Sequence, residues 1–360
     1  MDIREYVTQR EGQFIKSARQ IRDFKVFDFN YIPDKPLMRE EIKPIADAFL
    51  RYQKTGIANH LLIFGSRGSG KTLTVKYLAG LLRESGLDSV YVNCRSHNTS
   101  FKILASLLGV KPRGCSLTEL WQRFCQAHRK RTVIVLDEID LLSDKDRNKD
   151  ILYLASRSPE NYMAVLLSNN PKLLSMLDES IRSTLQSEVV HFRNYGAPQI
   201  LEILRERAAS GLHSWDDGML QQIAAMTAKN TNSDVRVAIK TLYYLSLEPG
   251  DLLANFERAR RDILGDVIQD LNDKTLLILR AALDSGEQRA HSVYERYCAV
   301  SARMHEEPFS YVHFYSGLSY LQSLGLILLI STKLGKTYTN RIQPLFDKSL
   351  FEAAWQARFG

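Results

Sequence analysis

The stretch "HLLIFGSRGSGKTLTVKYLAG", from His60 to Gly80, constrains the fold more than any other. An apolar run passes into a glycine-rich turn and then into an amphipathic segment. The turn Gly65-Ser66-Arg67-Gly68-Ser69-Gly70-Lys71-Thr72 matches G-x-x-x-x-G-K-[ST]. Glycines let such a loop turn its N–H groups inward around phosphate oxygens. A helix opening at Lys71 adds the positive end of its dipole. In that setting Lys71 reaches the β- and γ-phosphates and Thr72 ligates Mg²⁺, which makes ATP or ADP with Mg²⁺ the expected cofactors.

Strands and helices alternate on both sides of the loop. Apolar runs at 61–64, 89–93, 132–136, 163–168 and 188–192 read as buried strands, and segments at 72–83, 100–108, 117–129 and 149–156 as helices. That alternation predicts an α/β fold with a parallel sheet and helices on both faces. Residues 1–35 read as a partly helical basic arm, and an amphipathic helix follows at 40–53. Beyond Tyr195 the strand signal stops. Segments 198–208, 217–227 and 233–247 are helical in period, and a charged helix at 251–270 leads out of them. Helices at 274–283, 292–304 and 311–324 precede "GLILLISTKLGKTYTNRIQ", two strands around a turn at 333–336. Three helices and a hairpin are the winged-helix order. The expected domains are 1–195 (ATPase base with arm), 196–269 (helical lid) and 270–360 (winged helix).

Two further elements bear on phosphate chemistry. "TVIVLDEID" ends four apolar residues in Asp137 and Glu138 at a strand's C-terminal edge, where open α/β sheets place ligands. Side chains there alternate in direction, so Asp137 is expected in the Mg²⁺ shell and Glu138 as the base that polarises a water. In "VLLSNN", Asn169 falls just past the apolar run, where it could orient that water; Ser-Asn-Asn is also ordinary loop chemistry.

Charge and cysteine content exclude little. A formal net charge of +7 over 360 residues suits either solubility or a polyanionic partner. Cys94, Cys115, Cys125 and Cys298 have no zinc-knuckle spacing. The charged N-terminal stretch has no signal-peptide h-region, and the apolar run 324–330 is too short to span a bilayer. A cytoplasmic protein with no membrane partner is expected.

The Asp-Glu pair, "LLSNN" and the helical segment behind the sheet resemble the AAA+ ATPases. "YIPDKPLMREE", "VYVNCRSHNT", "VLDEIDLL", "VHFRNYGAPQILEILRERA" and "SDVRVAI", with a C-terminal winged helix, resemble the archaeal origin-recognition/cell-division-control initiators over nearly the whole chain. The resemblance implies a slow, switch-like ATPase acting on origin duplex DNA, with a replicative helicase and related initiator subunits as partners. It places Arg39 and Tyr195 at the adenine, makes Asn169 the first sensor and makes Arg236 the sensor that reaches from lid to phosphate. The family's arginine finger follows roughly Leu-Asp-Pro-Arg-Val-(Lys/Arg)-Ser. Here Ser180 replaces its first arginine and Arg182 remains, so either Arg182 serves a neighbouring subunit or trans-activation is weak. Ser233 stands where the family usually has glycine, compatible with a helix N-cap. A DNA-contacting insertion in the family corresponds to 98–114, with Lys111 and Arg113 near its tip.

The winged helix departs from a strongly basic reader. Its third helix, "SYVHFYSGLSYLQSLG", has no Lys or Arg; Phe314, Leu318, Leu321 and Leu324 form the expected buried stripe. Ser310, Tyr311, His313 and Ser316 are left for a groove, so base readout rests on hydroxyls or shape. Cations sit on the wing as Lys333, Lys336 and Arg341 around Gly335, where they suit phosphates. From Asp270 onward ten Lys and Arg face nine Asp and Glu, so charge alone does not make this a DNA module. A branch-migration-type AAA+ motor and a non-catalytic DNA-binding regulator holding ADP are the alternatives.

Overall fold

A computed structural model describes residues 2–8, 20–111, 113–143, 146, 149–170, 173–248, 250–284, 288–334 and 337–360; the side chains of 175–176, 332–334 and 337–339 are outside that description. Contacts divide the chain into two units, 34–194 and 1–33 with 195–360.

The first unit contains α1 (Ile42–Thr55), β1 (Leu61–Gly65), α2 (Lys71–Arg83), β2 (Asp88–Asn93), α3 (Ser100–Leu107), α4 (Leu117–Ala127), β3 (Thr132–Asp137), α5 (Asp150–Arg157), β4 (Met163–Ser168), α6 (Leu173–Met176), α7 (Glu179–Leu185) and β5 (Glu188–Phe192). The strands form one parallel sheet in the order β2-β3-β4-β1-β5. Every residue of β3 and β4 is buried, as expected of central parallel strands covered on both faces. Successive side chains divide between those faces. Val133 and Val135 pack with Phe49 and Tyr52 of α1 and Val75 of α2. Ile134 and Leu136 pack with Ile103 of α3, Phe124 of α4, Ile151 of α5 and Leu185 of α7. Helix starts follow local chemistry: Ser116 and Glu119 form a reciprocal capping box on α4. The short helices α6 and α7 were not anticipated.

The second unit contains α8 (Ala197–Gly211), α9 (Asp217–Asn230), α10 (Val235–Leu247), α11 (Leu252–Gln269), α12 (Asp273–Leu283), α13 (Ala290–Arg303), α14 (Tyr311–Ser323), β6 (Ile327–Leu334), β7 (Thr337–Pro344) and α15 (Lys348–Phe359). The expected three helices and antiparallel hairpin are α12–α14 and β6–β7. Phe314, Leu318, Leu321 and Leu324 are all buried. The helix α15 was not foreseen; it buries Phe351 and Ala354, and Glu352 accepts from Arg280 at 2.8 Å. A single cluster unites α12–α15 with Ile327 and Ile342 of the hairpin. The helix α11 serves two clusters: Phe256, Ala259 and Ile263 pack with Val237 of α10, while Val267 and Ile268 belong to the α12–α15 core.

Of the arm, grouped with the base domain in the sequence reading, the described residues 20–33 belong to this second unit. Ile21 bridges to Leu212, and Phe27 packs on the ring of Tyr243 at 5.4 Å. The buried guanidinium of Arg207 donates to the carbonyls of Val26, Asp28 and Tyr31 and lies 4.6 Å from the Tyr31 ring centroid. A Cβ on Gly211 would collide with Val26. Ser233 is not the N-cap of α10. Asp234 caps it, and Ser233 lies at φ +61°, the left-handed region that explains why a glycine suits this position.

His60 precedes β1 and is buried, and its Nδ1 accepts the N–H of Ala164 at 3.0 Å. Burial lowers its pKa from the ordinary value of 6.5. A protonated ring could neither accept that bond nor be well solvated, so the unfolded chain binds the proton more readily. Stability from this site is therefore complete above about pH 6.5 and falls as pH drops below it, by at most ~1.4 kcal/mol per pH unit. In denaturant titrations between pH 7.5 and 5, wild type should lose more stability than His60→Asn, whose amide oxygen keeps an acceptor there; equal losses would refute this account.

Candidate functional site

The C-terminal ends of β1, β3 and β4 converge on the phosphate-loop motif. Gly65 ends β1, and a Cβ there would lie 2.5 Å from the Phe192 carbonyl oxygen and 2.9 Å from its Cβ. Gly68 and Gly70 have φ of +72° and +90°, and Gly70 is the N-cap of α2. Ser69 and Lys71 are buried. The Lys71 ammonium donates to the carbonyls of Gly65 and Ser66 at 2.8 Å each and to Asn169 Oδ1 at 3.1 Å. The Ser66 hydroxyl bonds Asn194, and Arg67 is half-buried in the loop.

Thr72 and Asp137 meet directly: the Thr72 hydroxyl donates to Asp137 Oδ2 at 2.8 Å. The Tyr91 phenol donates to the same oxygen at 2.7 Å, and Asp137 Oδ1 accepts the N–H of Glu138 at 2.9 Å. Burial, then the Asp137 charge, pushes the Tyr91 phenol well above its ordinary range. A hydroxyl and a carboxylate 2.8 Å apart are hard oxygen donors of the kind Mg²⁺ takes. Glu138 turns the chain at φ +52°, ψ +43°, a left-handed conformation uncommon outside glycine. Asn93 Nδ2 donates to its Oε2 at 3.1 Å, and Arg95 forms an ion pair with the same oxygen at 3.1 Å. Burial pushes the Cys94 thiol well up, with Asp137, Asp140 and Glu138 adding to the shift.

Tyr91, Asn93, Arg95 and Asp140 were missed in the sequence. The first three lie on or just after β2, and only the strand order reveals that β2 neighbours β3, with Asn93 opposite Asp137. Arg39, expected at the adenine, is buried and braces the loop: it donates to Ser69 O at 2.8 Å and Arg193 O at 2.7 Å and pairs with Glu41 at 2.9 Å. Arg182 is exposed on α7. Lys111 and Arg113 are exposed between α3 and α4.

In the second unit, Tyr195 is buried. Arg236, in the first turn of α10, is held in a two-pronged pair by the cap Asp234, with Nε–Oδ1 at 2.9 Å and Nη2–Oδ2 at 2.5 Å. Ser310 caps α14 and its Oγ lies 2.9 Å from His313 Nδ1; Ser310, Tyr311 and His313 are exposed, as is Val312 beside them. Arg341 is exposed on β7 and forms a backbone bridge with Arg289. Gly335 and Lys336 lie outside the described residues, as does the side chain of Lys333.

The AAA domain family matches residues 55–177, which span the loop, the acid pair and Asn169. The ORC1-type DNA replication protein 1 of Methanothermobacter thermautotrophicus is 27% identical over 368 residues, covering 92% of this chain and 95% of the relative. The chain is homologous to the archaeal ORC1-type DNA replication proteins. Its fold matches theirs. The Aeropyrum pernix ORC1 protein, solved in complex with DNA, superposes with a TM-score of 0.66 at 24% identity, over 94% of this chain and 97% of that one. The Aeropyrum pernix ORC2 protein, solved as ADPNP-ADP complexes, gives a TM-score of 0.60 at 22% identity, over 94% and 99% of the two chains. At these identities the structural likeness speaks to fold: an AAA+ sheet domain and a helical C-terminal region of winged-helix type. Among the described residues no helix is long and apolar enough to cross a membrane.

Gly65→Ala forces a methyl against the backbone of Phe192, which cannot rotate away. The variant should lose about 1–3 kcal/mol of stability and displace the loop that begins there. Urea denaturation with a fluorescent-nucleotide titration checks both; an unchanged midpoint and unchanged affinity would contradict the close approach.

Proposed function

We propose that this chain is an ATP-dependent replication initiator that binds origin duplex DNA and uses nucleotide binding and slow hydrolysis as a switch. The observation that carries the nucleotide half is the Thr72–Asp137 contact at 2.8 Å beside Lys71 and Asn169, on a glycine-built helix N-terminus. The DNA half is supported by homology along nine tenths of the chain to ORC1-type replication proteins, one archaeal ORC1 structure being a DNA complex.

In this reading the backbone N–H groups of 65–70 and the start of α2 cradle phosphates of ATP or ADP. Lys71 swings from the loop carbonyls to phosphate oxygens, and Thr72 and Asp137 hold Mg²⁺. Glu138 takes the proton of the attacking water, for which it must leave Asn93 and Arg95. Arg39 supports the loop on the adenine side with Tyr195. Arg236 exchanges Asp234 for phosphate, and Arg182, exposed on α7, is the group available to a neighbouring subunit's nucleotide. The domains act as base, lid and winged helix, with residues 20–33 fastened to the lid helices. Lys333, Gly335, Lys336 and Arg341 meet the duplex backbone, with Lys111 and Arg113 as a second contact. On α14, Ser310, Tyr311 and His313 face bases with little direct code. Related initiator subunits and a replicative helicase are the protein partners, at the chromosome in the cytoplasm.

A second reading, a non-catalytic regulator holding ADP, draws on one observation: the Glu138 carboxylate is engaged by both Asn93 and Arg95.

Steady-state assays separate the readings. Slow ATP turnover should fall at least ~100-fold in Glu138→Gln with nucleotide affinity retained; an unchanged rate refutes the hydrolytic role, and a wild type without turnover favours the regulator. For DNA, anisotropy titrations of duplex across salt concentrations should show weaker binding for Arg341→Ala together with Lys336→Ala. The log–log salt slope should shrink by about 0.9 for each phosphate that the variant no longer neutralises. Unaltered affinity and slope would remove the wing from the interface.

A further inference from the structure

Asp140 lies three positions beyond Asp137, in the turn that follows β3, and its carboxyl is deeply buried. Its Oδ1 accepts two hydrogen bonds from the end of β4, the Ser168 hydroxyl at 2.8 Å and the Asn169 N–H at 3.2 Å. The Ser168 oxygen also accepts the N–H of Asn170 at 2.9 Å. The paired register of β3 and β4 ends at Leu136 and Leu166, whereas β1 stays paired with β4 through Phe64 and Ser168. On its β3 side the tip of β4 is thus tied by a carboxylate where ladder bonds have stopped. Burial raises the pKa of Asp140, against the lowering by Ser168, the Asn169 N–H and the Lys71 charge. Its Oδ2 is buried with no hydrogen-bond partner among the described residues.

The connection continues into the phosphate loop. Asn169 is buried, and its Oδ1 accepts from Lys71 Nζ at 3.1 Å. With Oδ1 engaged there, Nδ2 is the arm of the carboxamide that can donate to an incoming oxygen. Asp140 therefore fixes the backbone from which this two-ended side chain projects.

We propose that Asp140 is a positioning residue: it holds Asn169 so that the carboxamide, kept in register with Lys71, discriminates a nucleoside triphosphate from a diphosphate. The proposal rests on the nucleotide site argued above. Asp140 acts through the end of β4, where its Oδ1 accepts from Ser168 and Asn169.

The test measures magnesium-dependent binding of AMP-PNP and of ADP by calorimetry, with ATP turnover alongside. The proteins are wild type, Asp140→Ala, Asn169→Ala, the double variant and Asp140→Asn, all on the full chain. Asp140→Ala should weaken AMP-PNP about 10-fold, the scale of one or two hydrogen bonds, while ADP affinity changes less than about 3-fold. The double variant should be no weaker than Asn169→Ala alone, since the two act as one unit. Asp140→Asn, which retains an oxygen acceptor, should recover most of the selectivity. Equal losses for both nucleotides, or a double variant equal to the product of the singles, would overturn the proposal. Should Asp140→Ala not fold, Ser168→Ala removes one of the two bonds, and unchanged selectivity in that variant overturns it equally. A wild type that binds neither nucleotide defeats the nucleotide site and this proposal with it. A wild type that binds both without turnover defeats only hydrolysis, and the affinity ratios still decide the role of Asp140.

Discussion

Burial of both faces of β3 and β4 is the constraint on which the rest depends. Neither strand can carry an unsatisfied polar side chain between its ends, because helices cover it on each side. Polar chemistry is therefore pushed to the last residue of each strand and the turn beyond it. Asp137 ends β3 with Glu138 and Asp140 in the turn after it, and Ser168 ends β4 with Asn169 just beyond. Parallel pairing brings these ends to one edge of the sheet, and β1, beside β4, delivers the glycine loop to the same edge.

That crowding is managed by sharing partners. One Asp137 oxygen takes two hydroxyl donors, Thr72 and Tyr91, and one Glu138 oxygen takes Asn93 and Arg95. The left-handed turn at Glu138 lets two adjacent acids leave the strand in different directions with different partners. A backbone held in such a conformation by surrounding bonds is a common expense of functional sites.

Features set by local pattern could be read from the chain alone. The run at 163–168 matches β4, and the stripe Phe314, Leu318, Leu321 and Leu324 marks the inner face of α14, because periodicity and burial are the same fact there. The phosphate loop and acid pair carry their meaning in sequence spacing. What stayed hidden depends on neighbours distant in the chain. Asn93 and Arg95 matter only because β2 lies beside β3, and Asp140 only because β4 ends above its turn. The arm gave no sign that Arg207 on α8 would collect its carbonyls, and Ser233 looked like a cap because a left-handed φ has no signature in the one-letter code. The helix α15 lies past the hairpin, where the winged-helix order had already been satisfied.

The helix α11 belongs to the cores on both sides of it, with Phe256 anchored in one and Ile268 in the other. No proline, and no break in the helix, interrupts its 18 residues, which at 1.5 Å each make a rod of about 27 Å. A rod clamped at both ends transmits tilt instead of absorbing it. Phe256 and Ile268 are about 18 Å apart along it, so a rotation of about 5° at the first moves the second by about 1.6 Å. The two cores it joins are thus geared together, and the ratio is set by helix length.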